Sequence, residues 1–528
     1  MHAILILLLT LPAAVALACL GVPAAVARTL TAGCGVACIG LVLALVPAAA
    51  HANVQFLGFL RVDAVSAVFM LATGFLYGAV SVYAIGYLSG GRQHQHTARY
   101  TRRFWVGLNL FAWAMLAAPM MSNLALLWVA IEVTTVVSAL LVALEDTDGA
   151  AEAAWKYVLL ASTGLGLALL ATIFAYYAGA HVLGQSYDLG FAELLTAGHR
   201  LPHTAVQLAF VLAVVGFGTK MGLVPLHTWL PDAHSEAPTP VSAMLSGSLL
   251  AISFYAILRY YQLAETALGP RFPRNVLLVF GVLSLLLAAL YLFGQRDIKR
   301  LLAYSSVEHM GIMAIGVSFG APAALAGVLL HVLAHAAAKG NAFMGAGVLV
   351  RKFGTNRISA IRGGFDLLPW SGPLFGAAIL ALGAMPPFGL FRSEFEIVAG
   401  GLGSGHNVGA AILIIGVTVA FFGLAASATQ ALLRPAVRRA RTARPARELV
   451  SAGSGTRAAQ SNGSKPDGDQ PEISPSTEQD TLTRGEPSGW MVVPVVAGVL
   501  ALVLLGVHPP AELNELFTRA VQLLGVAG

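Results

Sequence analysis

Charge is what this sequence has least of. Only 11% of its 528 residues are Asp, Glu, Lys or Arg, against 57% hydrophobic residues and a mean hydropathy of +0.77. Soluble domains carry about 25% charged residues, which keep large apolar patches off their surfaces. The shortage excludes a soluble enzyme and a nucleic-acid binder. Cysteine is scarce as well. Cys19, Cys34 and Cys38 all lie in apolar runs, which excludes a disulfide-stapled secreted scaffold. Cys34 and Cys38 stand four apart with no His or acidic neighbour, so they read as small buried hydrophobes and not as metal ligands. A Gly-rich nucleotide loop, a haem attachment motif and a cysteine ligand set are all missing, so no cofactor is expected in this chain. Before the first apolar run there is no Lys or Arg, only His2. That lack argues against a cleaved signal peptide, despite the small residues at 25–27, and for a retained first helix.

What is present is a succession of apolar runs. They lie near 3–26, 31–50, 64–88, 104–121, 123–144, 155–180, 204–224, 241–264, 275–294, 301–318, 322–350, 370–400, 407–433 and 489–508, fourteen in all. Each is long enough to cross a bilayer as a helix, which takes about 20 residues. The expected fold is therefore an all-α integral membrane protein of about fourteen spans. Lys and Arg are distributed unevenly between alternate connections: 22 of the 31 lie on one side, 5 on the other and 4 within spans. The positive-inside rule makes the rich side cytoplasmic and places both termini outside. Residues 434–488 open with six arginines and continue as a Ser/Gly/Pro/Glu stretch, which reads as a disordered cytoplasmic loop. After Pro509, the spacing of Leu513, Leu516, Val521 and Leu524 predicts one amphipathic helix on the membrane surface.

Ionisable residues inside spans each cost about 2.5–3.5 kcal/mol and so need a reason. Glu132, Lys220, Glu308, His309, His331, His335, Lys339, Glu394 and Glu396 form a long inventory of them. Acids and bases spread over several spans suit a chain of proton sites better than isolated structural pairs. Glu132 has no partner within a helical turn, so its charge must be met from another span. Lys220 sits among Gly216, Gly218 and Gly222. Four prolines then fall between Pro225 and Pro240, around His227, which predicts an irregular polar connection. His331, His335 and Lys339 recur every fourth residue on one helix face. A His-x-x-x-His pair can bind zinc, but a cation follows and a nearby third ligand is lacking, so no metal site is expected and a proton path is favoured. Pro386, Pro387 and Gly389 break another span beside Glu394, and Arg392 is set to pair with Glu396 at i+4. Two broken spans at corresponding places predict two inverted five-helix repeats. The expected division is 1–103 for helices 1–3, 104–264 and 265–433 for the two repeats, 434–488 for the loop, and 489–528 for the last span and tail.

The stretch from Lys220 through Pro225, His227, Pro231, His234, Pro238 and Pro240 resembles the signature of the antiporter-like membrane subunits. These occur in respiratory complex I, multi-subunit Na+/H+ antiporters and group 4 [NiFe] hydrogenases. Arg296-Asp297-Ile298-Lys299-Arg300 and Tyr304-Ser305-Ser306 support the resemblance, and residues 304–311 with His335–Lys339 look most like hydrogenase-4 component F. The resemblance implies that Glu132, Lys220, Lys339 and Glu394 match the ionisable residues of the family's broken and central helices. His331 and His335 match histidines accompanying the central lysine, and His227 joins them in the relay. It also implies a proton-translocating subunit of a redox complex in the bacterial cytoplasmic membrane. Partners would be other membrane subunits and a peripheral cytoplasmic module carrying the iron–sulfur, NiFe or quinone chemistry. The alternative, a non-redox cation/proton antiporter or an inorganic-carbon uptake system with a large zinc-protein partner, is excluded by nothing in the sequence. Two departures stand out. Ala251 occupies the place of a bridging Lys or His, leaving Ser246, Ser248 or Ser253 to hold water. The chain also runs only about twenty residues past its last span, without the long lateral helix of the largest complex I subunit.

Overall fold

The computed structural model describes residues 1–89, 97–435 and 483–525, and these residues are almost entirely helical. In chain order the helices are α1 (His2–Gly21), α2 (Ala24–His51), α3 (Ala64–Leu88), α4 (Ala98–Ala117), α5 (Leu124–Val142), α6 (Asp148–Leu183), α7 (Phe191–Ala197) and α8 (His203–Met221). They continue as α9 (Trp229–Glu236), α10 (Thr239–Met244), α11 (Leu250–Leu268), α12 (Arg271–Tyr291), α13 (Ile298–Phe319) and α14 (Pro322–Phe353). The remainder are α15 (Gly364–Leu367), α16 (Ser371–Leu382), α17 (Gly389–Gly403), α18 (Asn407–Leu433), α19 (Gly489–Val507) and α20 (Ala511–Leu523). One short antiparallel hairpin pairs β1 (Val54–Phe56) with β2 (Leu60–Val62).

Among the described residues, 11 helices are long and apolar enough to cross a membrane. The three further runs expected from the sequence fall on α4, on α13 and on the pair α16 and α17. Arg99, Arg102 and Arg103 dilute the apolar content of α4, while Lys299, Arg300, Glu308 and His309 do so in α13. The run at 370–400 is interrupted between Leu382 and Gly389, so neither piece spans alone. The outer faces are apolar: Val136, Leu140, Ile173, Leu290, Val408 and Leu500 are all more than half exposed. An aqueous surface would not tolerate so much of this, whereas lipid would cover it. This is a multi-pass membrane protein.

The interior is built around α14 and the continuous helix formed by α10, a π-helical turn at Leu245–Leu249, and α11. Small residues let the backbones close up. A Cβ on Gly216 of α8 would lie 2.5 Å from the Ala168 amide nitrogen of α6, so only glycine allows that approach. Gly222, at φ +86°, ends α8 in the left-handed region.

Two expectations change here. The Pro-rich connection after Lys220 is not irregular throughout, because it contains α9 and the start of α10. Pro231 and Pro240 lie in the first turns of those helices, where a missing N–H leaves no hydrogen bond unmade. Residues 222–228 carry the main break, and 237–238 a second, shorter one between α9 and α10. The tail does form an amphipathic helix, α20, but Leu513, Leu516, Val521 and Leu524 are buried against the protein's own α2 and α3. Most of the polar loop expected at 434–488 lies outside the described residues. At its C-terminal end the Glu486 carboxylate accepts from the Trp370 and Ser371 amides, capping α16.

Candidate functional site

Lys220 and Lys339 are held in the same way. Lys220, near the end of α8, donates to the Ile131 carbonyl at 2.9 Å and to the Thr135 hydroxyl, both on α5. Lys339, in the middle of α14, donates to the Leu302 carbonyl at 3.0 Å and to the Ser305 hydroxyl, both on α13. Each ammonium is fully buried and lacks a carboxylate within ion-pair distance among the described residues. Hydrogen bonds to a charged group contribute about 1.5–3 kcal/mol each, enough to offset the insertion cost without fixing the proton permanently.

Glu132 follows Ile131 on α5, so Lys220 meets the helix turn that carries it. Its Oε2 has no hydrogen-bond partner. On the other side of the molecule, three helices bring ionisable groups together. His309 of α13 and His331 of α14 face each other, with Nδ1 and Nε2 3.2 Å apart. The Glu394 carboxylate of α17 lies 4.0 Å from His309 Nδ1. His331 Nδ1 is 2.9 Å from the Ser393 hydroxyl, and the His335 ring packs edge-on against His309 at 5.2 Å between centroids. The helix break between α16 and α17 is what turns Ser393 and Glu394 towards α13 and α14.

A buried polar atom without a partner costs about 1–3 kcal/mol, so native proteins keep few of them. Nine of the fourteen such atoms among the described residues belong to a band of carboxylates and imidazoles between α5 and α17: Glu132 Oε2, His227 Nδ1, both nitrogens of His234 and His335, Glu308 Oε2, His309 Nε2 and Glu394 Oε1; the other five are on Arg61, Glu265, Asn341 and Arg519. Of the seven residues expected from the sequence, Lys220 and Glu132 come together at α5. His331, His335, Lys339 and Glu394 gather around α14. His227 stands apart, in the break after α8, with its ring 6.4 Å from that of Tyr304.

The sequence places Glu308 and His309 inside a span and His234 and Ser305 in the family motifs without assigning any of them a role, and nothing in it singles out Thr135 or Ser393. His234 is fully buried and stacks on Phe343 of α14. Its position in a Pro-rich segment gave no periodicity from which to read a facing partner. The hydroxyls are too common in apolar helices to be picked out one by one.

Between the two lysines, Ser246 Oγ in the π-helical turn pairs with Ser306 Oγ of α13 at 2.7 Å. Ser306 adjoins Ser305, which receives Lys339. Ser248 instead pairs with Thr73 of α3, and Ser253 donates to Leu249 within its own helix. π-helical turns inside α-helices often mark functional positions.

The family described as NADH:quinone oxidoreductase/Mrp antiporter, TM, matches residues 121–423. The chain belongs to that family. It is 35% identical over 346 residues to the hydrogenase-4 component F homolog of Methylacidiphilum infernorum, covering 65% of this chain and 72% of the relative. It is 32% identical over 358 residues to NADH-quinone oxidoreductase subunit N of Desulforudis audaxviator, covering 67% and 69%. Identity to hydrogenase-4 component B of Escherichia coli is 32% over 350 residues, or 64% of this chain and half of that longer relative. Among solved structures, the Mrp complex from Dietzia contains a chain superposing with TM-score 0.77 at 19% identity, covering 98% of this chain and 97% of that one. Respiratory complex I from Thermus thermophilus contains another, with TM-score 0.75 at 23% identity, covering 98% and 99%. At those identities the structural likeness establishes the antiporter-subunit fold alone. The matched segment runs from just before α5 into α18 and so holds every residue of the band described above.

Proposed function

We propose that this antiporter-family chain is the proton-translocating membrane subunit of a redox-driven complex of the hydrogenase-4 or NADH:quinone oxidoreductase kind. The observation that carries the reading is the band of ionisable groups on α5, α8, α13, α14 and α17, buried except for the half-buried Glu132, with its lysines on neutral partners and an unpartnered atom on every one of its acids and on His309 and His335. Such groups can gain and lose protons without first breaking a strong ion pair, and their burial couples each one's charge to its neighbours'. Glu132 modulates the charge on Lys220. A proton then passes laterally through the hydroxyls of Ser246, Ser306 and Ser305 to Lys339, and on through His335, His331 and His309 to Glu394. Neutral imidazole both donates and accepts, which suits the three histidines to the transfer.

The inverted five-helix halves, 104–264 and 265–433, belong to this proposal, with the breaks after α8 and α16 at corresponding places. So do a bacterial cytoplasmic membrane location with both termini outside, partnership with further membrane subunits and association with a peripheral redox module. The names of the hydrogenase-4 and subunit N relatives support the redox assignment. The Mrp superposition keeps one other assembly in view, a cation/proton antiporter with no redox module.

Gentle-detergent purification of the tagged chain from its own host, followed by mass spectrometry, tests the assignment. Recovery of a hydrogenase-like or quinone-oxidoreductase-like subunit with iron–sulfur partners is the expected result. Recovery of small antiporter subunits alone, or of one large zinc protein, would overturn the redox reading.

A further inference from the structure

The sequence argued against a metal at His331 for want of a third ligand. The tertiary structure supplies it. His309, His331 and Glu394 each offer one ligand atom, and these atoms lie within 4.8 Å of one another on three different helices. Both imidazoles are fully buried, and Glu394 is 6% exposed, so the carboxylate carries what access the cluster has.

We propose that His309, His331 and Glu394 form a binding site for a divalent ion of the zinc type, and that the ion occupies the position of the proton shared between the two rings. Zinc binds imidazole nitrogen at about 2.0–2.1 Å in tetrahedral geometry, which sets two ligand nitrogens about 3.3 Å apart. His309 Nδ1 and His331 Nε2 are 3.2 Å apart. The Glu394 carboxylate oxygen, 4.0 Å from His309 Nδ1 and within 4.8 Å of the His331 ligand nitrogen, has to move in towards both rings by about 1 Å, a torsional change in a Glu side chain.

On His331 the tautomer is already set for a ligand, whereas His309 gives up the proton on Nδ1 when the ion binds and carries its hydrogen on Nε2, which has no other partner. Ser393 Oγ donates to the Leu390 carbonyl at 2.8 Å, so its lone pairs accept from His331 Nδ1–H at 2.9 Å. That leaves the Nε2 lone pair of His331 aimed at His309. A ligating histidine whose other nitrogen donates to a fixed acceptor is the usual outer arrangement of a metal site. His335, with both nitrogens free of hydrogen bonds, packs its ring beside His309 but is not one of the three ligands. The surrounding charges are Glu308 on α13, Lys339 on α14, and the Arg392–Glu396 pair on α17 at 3.0 Å. Lys339 is directed away, onto Leu302 and Ser305.

The space between the two ring nitrogens takes either a proton or the ion. Bound zinc therefore blocks transfer along α14, a consequence that rests on the relay reading above, whereas the binding itself does not.

The intact complex, stripped with chelator and desalted after exposure to zinc, tests the site. One zinc per copy of this chain is expected, with an X-ray absorption shell containing two imidazoles at about 2.0–2.1 Å. A wild-type shell without two imidazoles overturns the site and requires no variant. Glu394→Gln keeps the side chain's shape and should weaken zinc binding at least about tenfold; Ser393→Ala, which removes only the bond to His331, should weaken it about 10–100-fold. Unchanged affinity in both variants overturns the site, as does retention of the zinc until His51→Ala is made, since His51 and Glu515 form an exposed pair 3.8 Å apart. If zinc binds with the expected shell while proton translocation continues unaffected, the site stands and the relay through these histidines falls.

Discussion

Asp63 and Arg259 make a buried ion pair whose disruption should cost more than that of any other ion pair among the described residues. Asp63 precedes α3 and Arg259 lies on α11; the guanidinium donates to the carboxylate at 2.7 Å, and both side chains are at most 5% exposed. The same guanidinium donates to Ser66 at 3.0 Å, to Tyr255 at 2.9 Å and to Gln262 at 3.0 Å, and it stacks over the rings of Phe191 and Tyr255. Removing one partner of a buried pair costs about 3–5 kcal/mol, because the other charge is left uncompensated. The neutral partners of Arg259 stay in place, so Asp63→Asn should fall at the lower end, about 3 kcal/mol. Asp63 also accepts from the Ser66 amide at 3.0 Å, capping α3. Asp63→Ala loses that bond too and should cost about 1 kcal/mol more than Asp63→Asn.

The pH dependence follows from the same contact. Burial alone raises the Asp63 carboxyl, but Arg259 and the Ser66 amide lower it more, and the net position is below the ordinary carboxylate range. The pair's contribution is therefore complete above the unfolded value of about 3.9 and is lost as pH falls through the lower folded value. Steric-trap or SDS-titration unfolding, run at pH 7 and at descending pH, measures both. The gap between wild type and Asp63→Asn should hold steady down to about pH 5 and narrow only below about pH 3.9. A cost under about 1 kcal/mol, the range of exposed pairs, would refute the claim that this pair is desolvated.

Lys220→Met and Lys339→Met, in assembled complex, should each lower proton translocation about 100-fold or more, the usual share of a group that transfers protons; wild-type rates in vesicles would end the relay proposal. Thr135→Val and Ser305→Ala each strip a hydroxyl from a buried ammonium and should destabilise by about 1.5–3 kcal/mol in the same unfolding assay. Ser246→Ala removes the bond to Ser306 on α13 and should slow translocation while leaving assembly intact. An unchanged rate would put the lateral path elsewhere. Glu308→Gln should impair translocation although no sequence motif distinguished its role, and full activity would return Glu308 to the bystanders.

Composition and run length were enough to determine a polytopic helical membrane protein, because a chain this apolar and this poor in charge has no other way to bury its surface. The Pro and Gly clusters beside Lys220 and Glu394 were also legible, since breaks in a span follow from a missing N–H and a missing Cβ. Arg392 and Glu396 pair at 3.0 Å as their i,i+4 spacing required. What local spacing could not decide was anything between helices. The ion pair of Asp63 with Arg259 joins residues 196 positions apart, and no local spacing connects them. His309 meets His331 and Glu394 because α13, α14 and α17 converge there, and Lys220 and Lys339 find their carbonyls on α5 and α13 for the same reason. Helix periodicity tells which residues share a face; only packing tells which face lies opposite.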